Sequence, residues 1–224
     1  MQTEITVRGS YSAFLPPERG TVRASLGFEG PQMQPVYDRV VRDLEAVKAS
    51  VEPLHDAESG AVTWWATRHV RTWTHRPWHK EGKQLPLVHH ASVGLEVKFR
   101  DFGALTRWVG AHVEHTDGFS LEGVEWALTE ARKQELAREV RARAVRDASA
   151  RAQEYADALD LGAVRPVALA DAGMLGNGLH PSGGAEVAYL RGQSVGDADA
   201  GGALALAPED IEVSATVDAR FVAG

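Results

Sequence analysis

Histidine is the residue type in this sequence whose spacing could support metal chemistry. Five of the nine histidines fall in one stretch, at His69, His75, His79, His89 and His90. Imidazole nitrogen is a ligand for zinc, copper or nickel, and a hairpin could bring His75 and His79 together. However, the sequence has no HExxH spacing, and His89 and His90 must point to opposite faces of a strand. We therefore expect a core-facing, hydrogen-bonded His89 and no metal site.

Tryptophan and basic residues are interspersed through the same stretch. Its members are Trp64, Trp65, Trp73, Trp78, Arg68, Arg71, Arg76, Lys80 and Lys83. This mixture suits stacking platforms for single-stranded nucleic acid, but it is also the composition of a subunit interface. We favour the interface. The sequence thus predicts a binding surface, for a subunit or a ligand, at Trp73, His75, Arg76, Trp78 and His79.

Catalytic motifs do not emerge from the residue spacing. Acidic candidates for general acid and base catalysis are scattered, and there is no GxSxG nucleophile elbow. The glycine-rich segment GMLGNGLHPSGG at 173–184 follows a predicted strand but opens no helix, which argues against a phosphate-binding loop. The sequence therefore predicts no catalytic residues, no cofactor and no enzymatic activity.

Composition excludes several classes of protein. A net charge of -7 argues against a general nucleic-acid binder, whose affinity depends on neutralising phosphates. The absence of cysteine excludes disulfides, thiolate zinc sites and thiol nucleophiles. The first residues lack the pattern of a signal peptide, and no window approaches the roughly 18 apolar residues of a membrane span. We expect a soluble, cytoplasmic protein without a membrane span, or a periplasmic or secreted one if a signal peptide has been removed.

Hydrophobic periodicity predicts an α+β fold. After a short strand at 4–8, the elements follow the order strand, helix, strand, strand, helix, strand. The predicted strands are 21–28, 61–73, 85–99 and 124–128, and the predicted helices are 36–50 and 102–113. This order is the split βαβ plan of a ferredoxin-like sandwich, with two helices on one face of a four-stranded sheet.

A long helix over 130–161 dominates the remaining sequence. It contains no Pro or Gly, and its predicted inward stripe is Ala137, Val140, Ala144, Ala148, Ala152, Tyr155 and Leu159. Charged residues fill the other faces, which indicates a solvated surface. Small side chains let a helix lie close to a sheet, so we expect a structural brace.

The C-terminal part is predicted to complete a second lobe. It contains a strand at 163–170, a flexible insertion at 173–208 with a short strand near 187–190, and a regularly alternating strand at 211–221. We expect one domain of two lobes, with 20–128 forming the βαββαβ lobe. The second lobe combines 1–19 with 129–224.

Several segments together resemble the SIMPL domain family, a domain of unknown function. They are ITVRGSYSAFLPPERGTVRASLGF, FRDFGALTRWVG, EGVEWALTEARKQELAREVRARAVRDASARAQEYADALDLGAVRPV and DIEVSATVDARF. The resemblance covers nearly the whole chain and implies a two-lobed α/β fold. It also implies ring-like or channel-like oligomers in some members, but it supplies no catalytic residues. Many relatives carry a signal peptide that this sequence does not show, and the Trp- and His-rich hairpin is unusual.

These observations lead to a functional expectation. We expect a non-enzymatic protein that self-associates, with the hairpin loop and the insertion as contact surfaces. The alternative is a small-molecule or metal-binding protein that uses the His- and Trp-rich hairpin at 64–90. Single-stranded nucleic-acid binding through the same hairpin is a weaker alternative.

Overall fold

A computed structural model of the protein describes residues 2–175, 188–190, 193–194 and 206–224. Its elements confirm the predicted α+β class. The helices are α1 (Met33–Val51), α2 (Phe102–His115) and α3 (Glu130–Ala158), with a short 3₁₀ turn at Glu52–Leu54. The strands are β1 (Thr3–Leu15), β2 (Arg19–Gly30), β3 (Val62–Thr67), β4 (Arg71–His75), β5 (Val88–Phe99), β6 (Phe119–Ala127), β7 (Arg165–Asp171), β8 (Ala188–Leu190), β9 (Gln193–Ser194) and β10 (Ile211–Ala223).

The chain divides into two compact units. Unit 1 consists of Met1–Pro16, Leu128–Arg191 and Asp210–Gly224. Unit 2 consists of Pro17–Ala127 and Gly192–Glu209. Each unit has one antiparallel sheet of its own, with its own buried apolar side chains. No helix among the described residues is long and apolar enough to cross a membrane.

Unit 2 has the strand order of a ferredoxin-like sandwich. Its sheet runs β3-β5-β2-β6, with the short β9 added beside β6 and β4 continuing beside β5, and every pair is antiparallel. Alternation in β2 and β5 directs one set of side chains toward α1 and α2. In this layer Val22, Val97 and Phe99 of the strands and Leu105 of α2 are fully buried. Both helices therefore cover the same face, as predicted, and the opposite face of the sheet is available to carry a site.

Unit 1 is built on a close approach between α3 and the β1–β10 ribbon. A Cβ added to Gly9 would lie 2.1 Å from the carbonyl oxygen of Ala144 and 2.5 Å from the backbone nitrogen of Ala148. Only glycine on the strand and small residues on the helix permit this separation. The buried stripe of α3 accordingly consists of Leu136, Ala137, Val140, Ala144, Ala148, Ala152 and Ala156.

The predicted stripe is wrong at the C-terminal end of α3. Tyr155 and Leu159 are about 60% exposed, whereas Ala156 is fully buried. The buried positions keep a spacing of four from Val140 to Ala156, so the contact line drifts around the helix. A tyrosine ring would also not fit where the helix lies this close to the strands.

The predicted hairpin of unit 2 also needs correction. The strand expected at 61–73 is divided into β3 and β4. Within β3, the pairing with β5 shifts register between Val62 and Trp64. The strand expected from position 85 begins at Val88, and Leu87 is 44% exposed. Pro86 explains the late start, because proline has no N–H to donate to a neighbouring strand. The connecting loop is therefore 76–87.

Other boundaries differ by a few residues. The N-terminal strand β1 is longer than the predicted 4–8, β6 begins before 124, α3 ends at Ala158, and β7 begins at Arg165. The final strand appears as predicted, and β8 falls at the short strand expected near 187–190. Most of the predicted insertion at 173–208 lies outside the described residues.

Candidate binding surface

The outer face of the unit 2 sheet is the face opposite α1 and α2. Residues paired across antiparallel strands point to the same side, so the register defines this face. Trp73 pairs with His90, His75 with Val88 and Glu29 with His90, while Ser25 pairs with Gly94. The main outer-face residues are Arg23, Ser25, Gly27 and Glu29 on β2, Trp64 on β3, Arg71, Trp73 and His75 on β4, and His90, Ser92, Gly94, Glu96 and Lys98 on β5.

His90 is the centre of an aromatic cluster on the outer face. Its ring stacks on Trp73 with centroids 4.9 Å apart and an interplanar angle of 3°. Its Nε2 atom lies 2.8 Å from Nδ1 of His75, at hydrogen-bond distance. Its Nδ1 atom lies 3.6 Å from a carboxylate oxygen of Glu29. With only 15% of its side chain exposed, His90 is held on three sides by these neighbours.

Charged pairs occupy the other end of the outer face. Arg68 donates to Glu96 at 2.7 Å, and this bond raises the pKa of Arg68. Arg23 pairs with Glu125 at 2.5 Å. In the part of the chain that the structure describes, the guanidinium of Arg71 has no ion-pair partner. Arg71 is therefore a cation that could meet a carboxylate of a partner.

A shallow depression of about 190 Å³ lies among these residues. Its floor is formed by small residues, since Ser25, Ser92 and Gly94 lie side by side on β2 and β5. Pockets for drug-sized ligands are usually 300–1,000 Å³. The depression therefore fits a fragment-sized ligand or one side chain of a protein partner.

The five predicted binding residues separate into two groups. Trp73 and His75 lie on β4 and join the aromatic cluster. Arg76, Trp78 and His79 lie in the loop 76–87, where Trp78 is 84% exposed. The guanidinium of Arg76 donates to the carbonyl oxygen of Leu85, which closes the base of the loop.

The partner of His75 differs from the one that the sequence suggested. His75 contacts His90, whereas Nδ1 of His79 accepts a weak bond from the backbone of Glu81 at 3.3 Å. The register explains this, because β4 lies beside β5 and makes position 75 a diagonal neighbour of position 90 on the same face. The prediction for the neighbouring histidine holds: His89 points to the opposite face and is hydrogen bonded to Thr74 at 2.9 Å.

Sequence reasoning did not assign three residues that contribute to the surface, namely Glu29, His90 and Arg71. Alternation along β5 contained the signal for His90, since it places 90, 92 and 94 opposite the core positions. Glu29 was missed because the predicted strand ended at 28, whereas β2 continues to Gly30. Its contact with His90 could have been found only by extending that strand.

Metal ligation receives no geometric support in this region. Among the described residues, no group of three or more His, Asp or Glu side chains is arranged to hold a metal ion. In the aromatic cluster, a nitrogen of His75 and a nitrogen of His90 share a hydrogen bond, and the carboxylate of Glu29 lies near the other nitrogen of His90. The arrangement suits proton sharing and stacking.

A model of the SIMPL family, described as a protein of unknown function (DUF541), matches residues 5–221. This match confirms the family resemblance predicted from the sequence, and it includes both units and the whole outer face. No curated protein matches the chain.

Proposed function

Because the chain belongs to the SIMPL family, whose function is unknown, we propose a role from the surface itself. The protein is a non-enzymatic binding protein that self-associates. Its contact surface combines the outer face of unit 2 with the loop 76–87. The proposal rests on one observation in particular. Trp78, in the loop that follows β4, is 84% exposed, and Trp73, on β4 itself, is 47% exposed.

Exposed tryptophan on this scale is typical of a binding surface. Trp, Tyr and Arg are enriched among the residues that contribute most to protein interfaces. Trp64 is also 44% exposed on the outer face, with the ammonium group of Lys98 5.4 Å from its ring centroid. Large aromatic rings beside cations provide apolar area and cation–π contacts for a partner.

The charge distribution favours a second copy of the chain as the partner. In segment 71–83, Arg71, Arg76, Lys80 and Lys83 outnumber the single acidic residue Glu81. The rest of the chain then contains 20 basic and 30 acidic residues. A basic aromatic segment on an otherwise acidic chain is complementary to the surface of another copy.

Light scattering of the purified chain tests the proposal. We expect a mass well above 24.2 kDa at micromolar concentration, with weaker association as salt screens the charges. Trp78→Ser should weaken association by roughly 30-fold, which corresponds to about 2 kcal/mol for a central interface aromatic. The matched control is Tyr37→Ser, since Tyr37 is a partly exposed aromatic on α1. A strict monomer would overturn the proposal.

Small-molecule binding is a second candidate, favoured by the depression beside Arg71. Ser92→Leu would fill its floor without altering the loop 76–87. If the surface serves a small ligand, this variant should bind poorly in screens of anionic fragments while wild type binds. If the surface serves self-association through the loop, Trp78→Ser should have the larger effect on mass.

A further inference from the structure

The bond between His75 and His90 depends on protonation. Nε2 of His90 and Nδ1 of His75 are 2.8 Å apart, so one nitrogen donates a proton and the other accepts with its lone pair. A neutral pair or a singly protonated pair can make this bond. A doubly protonated pair cannot, because both nitrogens then carry a proton and both rings are cationic, with centroids 4.8 Å apart.

The groups facing the pair determine which ring takes the first proton. From β2, the carboxylate of Glu29 lies 3.6 Å from Nδ1 of His90. From β4, Trp73 stacks on His90, and a cationic imidazole gains attraction from that indole face. Arg71 on the same face and Arg76 in the following loop add positive charge. The first proton is therefore favoured on His90, and the second must be placed on His75.

Strand β4 has few other contacts to hold it. All five of its residues are exposed, and among the described residues it pairs with β5 alone. Three side-chain contacts link the two strands: Trp73 with His90, Thr74 with His89, and His75 with His90. His75 is the last residue of β4, and the loop that carries Trp78 follows directly. Loss of its bond leaves the end of the strand and the loop held only by backbone pairing with β5 and by the bond from Arg76 to Leu85.

We propose that the His75–His90 pair is a pH-sensitive latch on the contact surface. While at least one of the two facing nitrogens lacks a proton, the pair holds the loop 76–87 in place; when both rings are protonated in acid, the latch opens and the surface loses its shape. This inference rests on the proposed self-association, because it describes how that same surface is regulated.

Hydrogen–deuterium exchange of the full chain tests the latch directly. Deuterium uptake in peptides covering 71–87 is compared at pH 7.5 and 5.5, with labelling times scaled for the intrinsic exchange rate. An opening step that takes up one proton is favoured by at most about tenfold for each pH unit of acidification. We expect protection in this segment to fall by about that factor in wild type. Equal protection at the two pH values would overturn the latch.

Two variants make the test specific. His75→Gln removes the titrating group at an exposed position, so its protection should be the same at both pH values. His89→Gln is the matched control, since His89 lies on the opposite face and its partner Thr74 can accept from a protonated ring. It should keep the wild-type response. A pH response that persists in His75→Gln would assign the effect to another group and overturn the proposal.

Light scattering of the same samples separates the two proposals. Wild type should lose mass between pH 7.5 and 5.5, whereas the mass of His75→Gln, whatever its value at pH 7.5, should not change with pH. If wild type is monomeric at pH 7.5, the proposed self-association is wrong, and deuterium uptake still decides whether the latch opens. If wild type assembles equally at both pH values with unchanged uptake, self-association stands and the latch is wrong.

Discussion

Arg8 and Asp218 form a two-pronged ion pair across the β1–β10 ribbon of unit 1. Nε of Arg8 donates to Oδ1 of Asp218 at 2.7 Å, and Nη2 donates to Oδ2 at 3.2 Å. The backbone N–H of Gly173 also donates to this carboxylate, at 2.6 Å. Asp218 is only 9% exposed, so these donors replace its water. The hydrogen bond from Arg8 is the main reason that the pKa of Asp218 is lowered.

The lowered pKa of Asp218 predicts a specific acid sensitivity. A carboxyl group with a folded pKa below its unfolded value, near 3.9, stabilises the protein above that pH. The stabilisation is lost as pH falls through the folded pKa. Asp218→Asn should cost about 2 kcal/mol at pH 7, and the difference from wild type should shrink as pH falls below about 4. Urea unfolding at several pH values measures it.

The control for this prediction is Asp117→Asn. Asp117 also pairs with an arginine, Arg39, at 2.8 Å, but 83% of its side chain is exposed. Exposed ion pairs contribute about 0–1 kcal/mol, so this variant should unfold almost as wild type does. A gap between wild type and Asp218→Asn that stayed constant from pH 7 to pH 3 would contradict the linkage argument.

Because the alanine stripe on α3 is buried, glutamate should destabilise the protein far more at a stripe alanine than at an exposed alanine of the same helix. Ala144 is fully buried against β1, whereas Ala142 is exposed two positions earlier. Ala144→Glu should reduce the free energy of unfolding by several kcal/mol, because it would bury a carboxylate where no space exists. Ala142→Glu should change it by less than about 0.5 kcal/mol. Equal effects in thermal and urea denaturation would show that the helix packs through another face.

The sequence predicted the core-forming elements because their patterns are strong and local. Strict alternation identified the final strand and the inward set of β5, and the three-to-four spacing of Val36, Val40, Leu44 and Val47 identified α1. Once strand, helix, strand, strand, helix, strand was established, the ferredoxin-like order of unit 2 followed from known topology. Here local propensity and the tertiary fold agree.

The errors occur where distant residues decide the structure. Nothing local distinguishes Tyr155 from Ala156 as the buried residue on α3; Ala156 continues the spacing of four that packing against the strands sets from Val140 onward. Pro86 did signal a late start for β5, but the alternation of Leu85 and Leu87 masked it. The strand therefore begins after Pro86, because the absence of an N–H on that proline outweighs the hydrophobic alternation.

The candidate surface was only partly predictable for the same reason. The exposed tryptophan of the loop could be expected from composition, because it lies in a polar segment. The contact of His75 with His90 required the register of β4 on β5, which places these positions together across a loop. Alternation within each strand shows which side chains share a face, but it does not show which residue of β4 lies opposite which residue of β5.

Half-buried polar side chains connect α1 to α2 in unit 2. The hydroxyl of Ser50 donates to the carbonyl oxygen of Val47 at 2.6 Å, so it must accept from Nε1 of Trp108 at 2.9 Å and from Nε2 of His112 at 2.8 Å. The contact with Ser50 therefore places a proton on Nε2 of His112. Nδ1 lies 2.8 Å from the hydroxyl of Thr116, which donates to it when the ring is neutral. Burial lowers the pKa of His112, which favours the neutral ring.

Neutral His112 predicts loss of stability in mild acid. Its folded pKa lies below the unfolded value near 6.5, so the unfolded chain takes up this proton first. Stability is therefore complete above about pH 6.5 and falls as pH decreases toward the folded pKa, by at most about 1.4 kcal/mol per pH unit for one proton. His112→Gln should be less stable at pH 8 but should lose less stability between pH 7 and 5. Urea unfolding across that range measures both slopes.

His115→Gln is the matched comparison for this last prediction. It lies one turn further along α2, but 70% of its side chain is exposed. Its side chain lies outside the polar network of Ser50 and Trp108, so its replacement should leave the pH slope of wild type unchanged. If His115→Gln flattened the slope and His112→Gln did not, the proton would be taken up at the helix end and not in the polar network. The neutral state assigned to His112 in the folded protein would then be wrong.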